Sequence, residues 1–502
     1  MNNSFSASIK HKKIVYLAQK SLDSYLHNDL YYSAMAEACD YHCINLCSLD
    51  VGGDRWRENL LAYAKDEDVL FFFGLNGFGN DLSLSLDNEP SVSLFEYADK
   101  PYITSFSDPP FISEMWEHTR ASFRGRIYLY TDHSYFSVSK LFQNLKKTRN
   151  IYFYSGFCPG SYTEHNDHKF TDKEIDILFS ATLVNPDIYY QHFFHICQKE
   201  IVLAKKIFDS IVDNFLLDLR SDCLDWINQG FISNGLLFNL EIDWHRNLLA
   251  CVSGYIKFRR RQIILQNLQE VPLTIMTNEV PYELSTHPDT KIIPPVSFQE
   301  FQQTLAKTKI CLCPTPHYRG FHERVISAMY ANCLVLTTPN QVLEQEFVHG
   351  QSIVFFQDLE RDLIQTLEYY AQKPQEIEEI CSRAREIARD KFSARQALEQ
   401  FLTIYQNYRA RQGDINISSI EYGVPDRDLL DSTSSSAASE PVADPFVAQD
   451  LVKLEKTVAA QQQELQKLNT TVEAMQTSKF WKMRQAWFKI KKSIGLAKDE
   501  LI

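Results

Sequence analysis

The sequence predicts an α/β protein made of two successive units, each a mostly parallel sheet with helices on both faces. Three observations predict it. Apolar runs of strand length alternate with helix-period stretches through about the first 180 residues and again from about 273 to 356. The chain has 502 residues and is 44% hydrophobic, enough for at least two cores. Aromatic residues make up 13%, which excludes a wholly disordered chain.

The elements follow in order. Ile14–Ala18 reads as a strand, Leu22–Ala38 as a helix, and Cys43–Leu49 as the next strand. Trp56–Ala64 is helical, and Val69–Leu75 is a buried strand running into Asn76-Gly77-Phe78-Gly79. Tyr102–Phe106 is a strand stopped by Asp108-Pro109-Pro110, and Ile127–Tyr130 and Ile151–Tyr154 continue the series. A second unit opens at Ile175–Ser180. Residues 188–262 carry helix-period apolar positions and read as a helical insertion. Strands resume at Leu273–Met276, Lys291–Ile293, Ile310–Cys313, Leu334–Thr338 and Ser352–Phe355, with helices at Phe298–Lys307 and His322–Ala331. Long polar helices then reach about Arg411. The expected domains are therefore 1–170 and 171–412.

Residues 413–446 change character. Their Ser-rich run and Pro425, Pro441 and Pro445 read as a flexible acidic linker. In 447–478 a heptad seam, Leu451, Leu454, Val458, Gln461, Leu465, Leu468, Val472 and Met475, apolar but for Gln461, keeps the 3,4 spacing of a coiled coil, and predicts a homo-oligomer. Residues 479–502 form a basic, aromatic amphipathic stretch with seven Lys/Arg against two Asp/Glu. It suits an anionic membrane surface or a protein groove.

The formal net charge of −13 argues against broad electrostatic binding of nucleic acid, so no nucleic-acid partner is expected. No apolar run approaches the ~20 residues of a membrane span. The first residues lack the apolar core of a signal peptide. The expected location is cytoplasmic, with a peripheral association at the inner membrane face through the tail. Cys39, Cys43 and Cys47 recur every four residues and read as a buried small-residue face of a helix in a reducing compartment, rather than as a metal site. Asp66-x-Asp68 precedes its strand, and Asp426-x-Asp428 lies in the linker, so both read as solvated charges. No metal and no cofactor are expected. No Gly-x-Ser-x-Gly elbow supports a serine triad.

Ligands of open parallel sheets bind beyond the carboxyl ends of strands. The candidates there are Asn76 and Gly77, Asp108, and Thr131-Asp132-His133 in the first unit. In the second they are Ser180–Thr182, Thr277–Glu279, Pro314–His322 and Thr338 onward. The richest block runs from Cys313 to Thr338. A strand ends, a Pro- and Gly-containing loop follows, and a helix begins near Gly320–His322. Its unpaired N–H groups suit a phosphate, and Arg319 and Arg324 can add charge-assisted hydrogen bonds to a diphosphate. Glu323 and Ser327 lie four apart, within reach of a sugar or ribose hydroxyl. Glu323 equally suits the role of a carboxylate at the helix dipole.

Those residues carry a resemblance. Gly320, then Arg324-Val325-Ile326-Ser327-Ala328-Met329-Tyr330-Ala331-Asn332, then Leu334–Thr338, is similar to the nucleotide-sugar half of GT-B-fold glycosyltransferases. The CgeB-like proteins and the family 4 (group 1) retaining transferases are the nearest in pattern. The order continues through Leu343–Phe347, Gly350–Phe356 and Cys381–Phe392. Asp176 to Ala394 carries most of it. Asn76-Gly77 and Asp108-Pro109 are similar to an Asn-Gly and an Asp-His-Pro of the family's first half. The tail Ser478-Lys479-Phe480-Trp481-Lys482-Met483-Arg484 resembles one seen on cyanobacterial transferases.

The resemblance implies two Rossmann-like domains facing across a cleft. It implies transfer of a sugar from a nucleotide-diphosphate sugar to a glycan or lipid-linked acceptor, with retention and without metal. Ser180, Arg319, Gly320, His322, Glu323, Arg324, Ser327 and Thr338 would bind the donor. Asn76 and Gly77 would form the acceptor-side loop, and Asp108 or His133 would position or deprotonate the acceptor. Three departures stand out. Ser327 occupies the place of a ribose-binding glutamate, and Asn332 that of a glycine. No Gly-Arg…Lys pair follows the strand ending at Ser180. The alternatives are an inactive glycosyltransferase-like protein that binds a nucleotide or glycan, and a coiled-coil assembly scaffold.

Overall fold

The computed structural model describes residues 8–18, 27–51, 53–79, 82–84, 92–109, 111–112, 125–132, 134–135, 137, 151–154, 156–158, 170–196, 200–314 and 319–411. The expectations for His133, for the linker 413–446, for the coiled coil 447–478 and for the tail 479–502 lie outside the described residues.

Two six-stranded sheets organise the chain. The first contains β1 (Lys13–Ala18), β2 (Asn45–Asp50), β3 (Val69–Leu75), β4 (Tyr102–Phe106), β5 (Arg126–Tyr130) and β6 (Ile151–Phe153). The second contains β7 (Ile175–Ser180), β8 (Thr274–Met276), β9 (Lys291–Ile293), β10 (Thr308–Cys313), β11 (Leu334–Thr337) and β12 (Val354–Phe355). The orders are β2-β1-β3-β4-β5-β6 and β9-β8-β7-β10-β11-β12, so the two sheets share one winding. Every neighbouring pair within them is parallel. Strand order therefore reverses between β1 and β3 and again between β7 and β10, the places where a parallel sheet opens a crevice for a ligand. Central strands such as β3 and β5 are buried on both faces, which explains runs like Val69–Phe73 with no polar alternation.

The first sheet carries α1 (His27–Tyr41) and α2 (Trp56–Lys65). Four helices join β7 to β8: α3 (Asp187–Ile196), α4 (Ile201–Phe215), α5 (Cys223–Ile232) and α6 (Asp243–Asn267). The longer helices that follow are α7 (Phe298–Ala306), α8 (Glu323–Tyr330), α9 (Gln341–Glu346), α10 (Arg361–Ala371), α11 (Pro374–Lys391) and α12 (Ala394–Arg411), and a short helical turn, Leu94–Tyr97, precedes β4. Local chemistry sets several of these boundaries. Asp222 and Asp225 form a capping box on α5, Ser297 and Glu300 another on α7, and Pro374 opens α11. Asn332 follows α8 with φ 58°, a left-handed position that suits glycine and that asparagine tolerates.

One hydrophobic core spans both halves, joining Phe106, Tyr130 and Phe153 beside the first sheet to Trp226, Phe321 and Val325 of the second half. The last helix departs from the expected division. It follows the second sheet in sequence, yet Ala397, Leu398, Phe401 and Leu402 are buried in the first sheet's core with Ile103 and Leu129. The Phe401 and Phe73 rings lie 5.1 Å apart. An apolar helix face must be covered, and the first sheet beside α1 offers the uncovered surface.

The cysteine expectation is corrected. Cys39 is buried on α1, but Cys43 sits in an exposed turn at φ 56° and Cys47 on β2, so they share no helix face. Asp66 and Asp68 pair with Lys13 and Lys12, at 2.7 and 2.6 Å. No described helix is long and apolar enough to cross a membrane.

Candidate active site

A cleft of about 410 Å³ opens beyond the carboxyl ends of β7 and β8, beside the reversal of the second sheet. Ser180, Met276, Ser297, Phe298, Glu323 and Arg324 contribute to its wall. The sheet holds its floor, since the Ala181 N–H donates to the Met276 carbonyl at 3.1 Å. The start of α8 forms another edge. His322 is its N-cap, and its Nδ1 accepts the Arg324 backbone N–H at 3.2 Å, satisfying one of the helix's free donors. Burial, reinforced by the charge of Arg324, pushes the His322 imidazole down to about 3, so it remains neutral near pH 7. Glu323 is exposed on the same turn. Its Oε2 accepts the Tyr31 hydroxyl of α1 at 3.3 Å, a contact between the two halves.

Positive charge gathers behind Arg324. Arg324 Nη1 is buried with no hydrogen-bond partner among the described residues. Arg261, on α6, donates from Nη1 to the Thr182 carbonyl at 2.7 Å, whereas its buried Nε has no partner among the described residues. Burial, then the charge of Arg324, brings Arg261 down to about 9. Lys257 lies one turn earlier on α6. Burial, then Arg261 and Arg324, brings its ammonium down to about 7, while Asp108 pulls the other way. No basic pair follows Ser180 in the sequence. The fold brings Lys257 and Arg261 to that region from a helix far along the chain. The available signal was the run Lys257-Phe258-Arg259-Arg260-Arg261 inside an otherwise apolar helical stretch.

The first half contributes a small acidic corner at the ends of β3 and β4. Asn76, at φ 49°, donates from Nδ2 to Asp108 Oδ2 at 2.8 Å and accepts the Ser107 N–H on Oδ1 at 2.9 Å. The Gly77 N–H donates to Thr104 Oγ1 at 2.9 Å. Asn76, Gly77 and Asp108, far apart in sequence, are thus brought together. Asp108 is exposed and within electrostatic reach of Lys257.

Other residues expected at the donor site turn inward. Ser327 is fully buried, and its Oγ lies 3.1 Å from Cys158 Sγ of the first half. It is a contact between halves and does not open on the cleft, because its face of α8 is the one covered by that half. Arg319 is also buried. Burial lowers its pKa, and Asp222, Asp132, Asp225 and Asp218 act in the opposite sense. Its Nη1 donates to the Leu219 carbonyl at 3.4 Å, its buried Nη2 has no partner among the described residues, and Arg319 does not line the cleft. Gly320 is buried in a β-bridge with Asp132 of the first half. Thr338 is buried with its hydroxyl unpartnered among the described residues. In the sequence Asp132 is one residue of the run Thr131-Asp132-His133 after β5. It is fully buried, accepting the Arg319 N–H at 2.7 Å and the Tyr135 N–H at 3.0 Å. Among the described residues no three His, Cys, Asp or Glu side chains are grouped to hold a metal ion.

With this geometry in place, the comparisons locate the class. Residues 259–403 match the protein family described as glycosyl transferase-like, so the second half contains a glycosyl transferase-like domain. Together with the two parallel six-stranded sheets, this is a GT-B-type architecture. No curated protein matches the chain. Among solved structures, it is similar to Anabaena HepE in complex with UDP-glucose, at 10% identity and TM-score 0.43, covering 80% of this chain and 100% of that one. It is similar to T4 phage BGT in complex with UDP and Mn2+, at 10% identity and TM-score 0.41, covering 79% and 99%. The sucrose-phosphate synthase of Thermosynechococcus elongatus matches at 8% identity and TM-score 0.42, covering 80% and 100%.

Proposed function

We propose that this protein transfers a sugar from a nucleoside diphosphate sugar to an acceptor hydroxyl. One observation carries the reading: the cleft at the reversal of the second sheet opens onto Glu323 and Arg324 at the start of α8, inside the segment that matches the glycosyl transferase-like family. The donor occupies this cleft, and the acceptor approaches from the Asn76–Asp108 corner. In the reaction the acceptor oxygen bonds to the anomeric carbon, and the bond from that carbon to the diphosphate oxygen breaks. The electron pair leaves with the diphosphate, so the site must meet developing negative charge there with preorganised donors. Arg324 and the start of α8 fill that role. Asp108, oriented by Asn76, holds the acceptor hydroxyl on one face.

The finer parts of the proposal rest on the sequence. The resemblance of Asp176 to Ala394 to CgeB-like and family 4 transferases supports retention; in that case the departing phosphate oxygen takes the acceptor's proton. Side-chain cations at the donor site favour a metal-independent reaction, for which turnover should survive EDTA. The apolar seam at 447–478 and the basic aromatic stretch at 479–502 support an oligomer held near a membrane-borne glycan or lipid acceptor.

The test is a thermal-shift panel of UDP, GDP, ADP, dTDP and their sugars on the full chain, with Arg324→Ala alongside. A ligand that binds the native state raises Tm by mass action. One nucleotide class should raise Tm in the wild type and not in the variant. A well-folded wild type that responds to none of them would overturn the reading.

A further inference from the structure

The segment between β7 and β8 reads as an insertion, but α6 reaches the border of the cleft through Arg261, which lies behind the lining residue Thr182. Arg260 and Arg261 are neighbours with opposite circumstances. Arg260 is fully buried. Its Nε donates to the Leu216 carbonyl at 2.8 Å, and its Nη2 to the carbonyls of Phe215, at 2.6 Å, and Asp218, with the guanidinium over the Trp226 ring. It closes the end of α4 and is structural. Among the described residues Arg261 makes one hydrogen bond, to the Thr182 carbonyl, and that ties it to the loop bordering the cleft. Its Nε is buried and unpartnered among the described residues.

Lys257 lies four residues earlier, on the same side of α6. Among the described residues it makes no hydrogen bond or ion pair, and its ammonium stands 5.3 Å from the Phe258 ring centre. Tight packing sets the helix in place. At Gly254 a Cβ would collide with the Tyr189 ring of α3, which stacks on Phe258 at 5.4 Å. Lys257, Arg261 and Arg324 each lower the affinity of a neighbour in this set for its proton, and the neutral His322 feels all three. Arg261 is buried and Lys257 and Arg324 are half-buried, and like charges gathered in such a place are costly unless an anion completes them. Asp108, on the opposite half, is the carboxylate that offsets Lys257, and it is hydrogen-bonded to Asn76. The cluster is one side of an ion pair whose other side must carry more than one negative charge and several acceptor oxygens.

The geometry points to Lys257 and Arg261, carried on α6, as the side chains that grip the donor's diphosphate together with Arg324, making the helical segment between β7 and β8 part of the donor site. This rests on the reading of the cleft as a nucleotide-sugar site. It accounts for the absence of a basic pair after Ser180, since the two cations arrive from a helix instead of the strand's own loop.

The experiment measures Kd by calorimetry on the full chain for inorganic pyrophosphate and for UDP, GDP, ADP and dTDP. It compares the wild type with Lys257→Met, Lys257→Arg and Arg261→Lys. Lys257→Met keeps the aliphatic stem on Phe258, and Arg261→Lys keeps a donor for the Thr182 carbonyl, so both should fold. At least one diphosphate should bind the wild type, bind Lys257→Met roughly ten- to a hundredfold more weakly, and recover most of its affinity in Lys257→Arg. Arg261→Lys should lose about tenfold. Diphosphates that bind all four proteins alike would overturn the assignment to α6 while leaving the nucleotide-sugar reading intact. A wild type that binds none of the five would overturn that reading and the assignment with it.

Discussion

Arg319 and Arg324 stand on either side of the start of α8, five residues apart, and the fold gives them opposite surroundings. Arg319 is buried among Asp132, Asp218, Asp222 and Asp225, where the first half meets the α4–α5 segment. Ser134 of the first half donates to Asp222 Oδ2 at 3.0 Å in the same contact. Arg324 is beside the cleft, near Lys257, Arg261 and a neutral His322, with a buried Nη1 left unpartnered among the described residues. Arg319 has four carboxyl groups of the protein within electrostatic reach, although its buried Nη2, like Nη1 of Arg324, has no hydrogen-bond partner among the described residues. An arginine surrounded by other cations awaits an anion. Residue type and spacing are the same signal in both cases; the difference lies in which charges the fold brings near.

Four measurements would break or sharpen that comparison. The largest effect is expected from Arg319→Ala. It removes a buried cation that four nearby carboxyl groups feel, together with its bond to the Leu219 carbonyl, and should cost about 1.5–3 kcal/mol in chemical denaturation; a loss below about 1 kcal/mol would mean that Arg319 is not the keystone of that contact. Next is Asp132, whose carboxyl is pushed up to about 7 by burial against the pull of the Arg319 and Tyr135 N–H groups. Its folded pKa lies above the unfolded value near 4. Its contribution to stability is therefore fully present below about pH 4 and is lost as pH rises through about 7. Wild-type stability should fall across that window by up to about 1.4 kcal/mol per pH unit relative to Asp132→Asn. Parallel pH curves for the two proteins would contradict this.

The third measurement concerns Lys257, held down to about 7 in the free protein. A bound diphosphate should raise it, so binding takes up a proton when the pH is above 7. Affinity for a nucleotide sugar should then weaken by up to about tenfold per pH unit above 7, and more shallowly in Lys257→Arg. A nucleotide sugar is the better probe, because its diphosphate does not titrate near neutrality. The smallest effect is expected from Arg324→Ala without ligand. It removes one of several like charges, and stability should stay within about 1 kcal/mol of the wild type or rise slightly. A loss comparable to that of Arg319→Ala would erase the distinction between the two sites.

Much of the fold was legible in the chain. Runs such as Val69–Leu75 and Leu334–Thr337 are buried parallel strands, and strand length with flanking helix periods suffices to find them. His322-Glu323-Arg324 opens a helix as expected, and Asn76, Gly77 and Asp108 each follow a strand and meet at one corner. What sequence missed follows from one cause: periodicity shows which side of a helix is apolar but not which neighbour covers it. Ser327 shares the exposed-looking register of Glu323, yet its side of α8 is closed by Cys158. The last helix has an apolar face that either half could have taken, and the first sheet takes it.

By itself, then, the sequence determined the two wound sheets, their strand ends and the presence of a helical segment between β7 and β8. These depend on local propensity and on burial patterns that each segment carries alone. Only the tertiary structure decided that Arg319 is internal, that Asp132 bridges the halves, and that Lys257 and Arg261 join Arg324. Those outcomes depend on which groups packing brings together across long separations in the chain, as in the bonds from the Arg319 N–H to Asp132 and from Arg261 to Thr182, and position in the sequence does not set them.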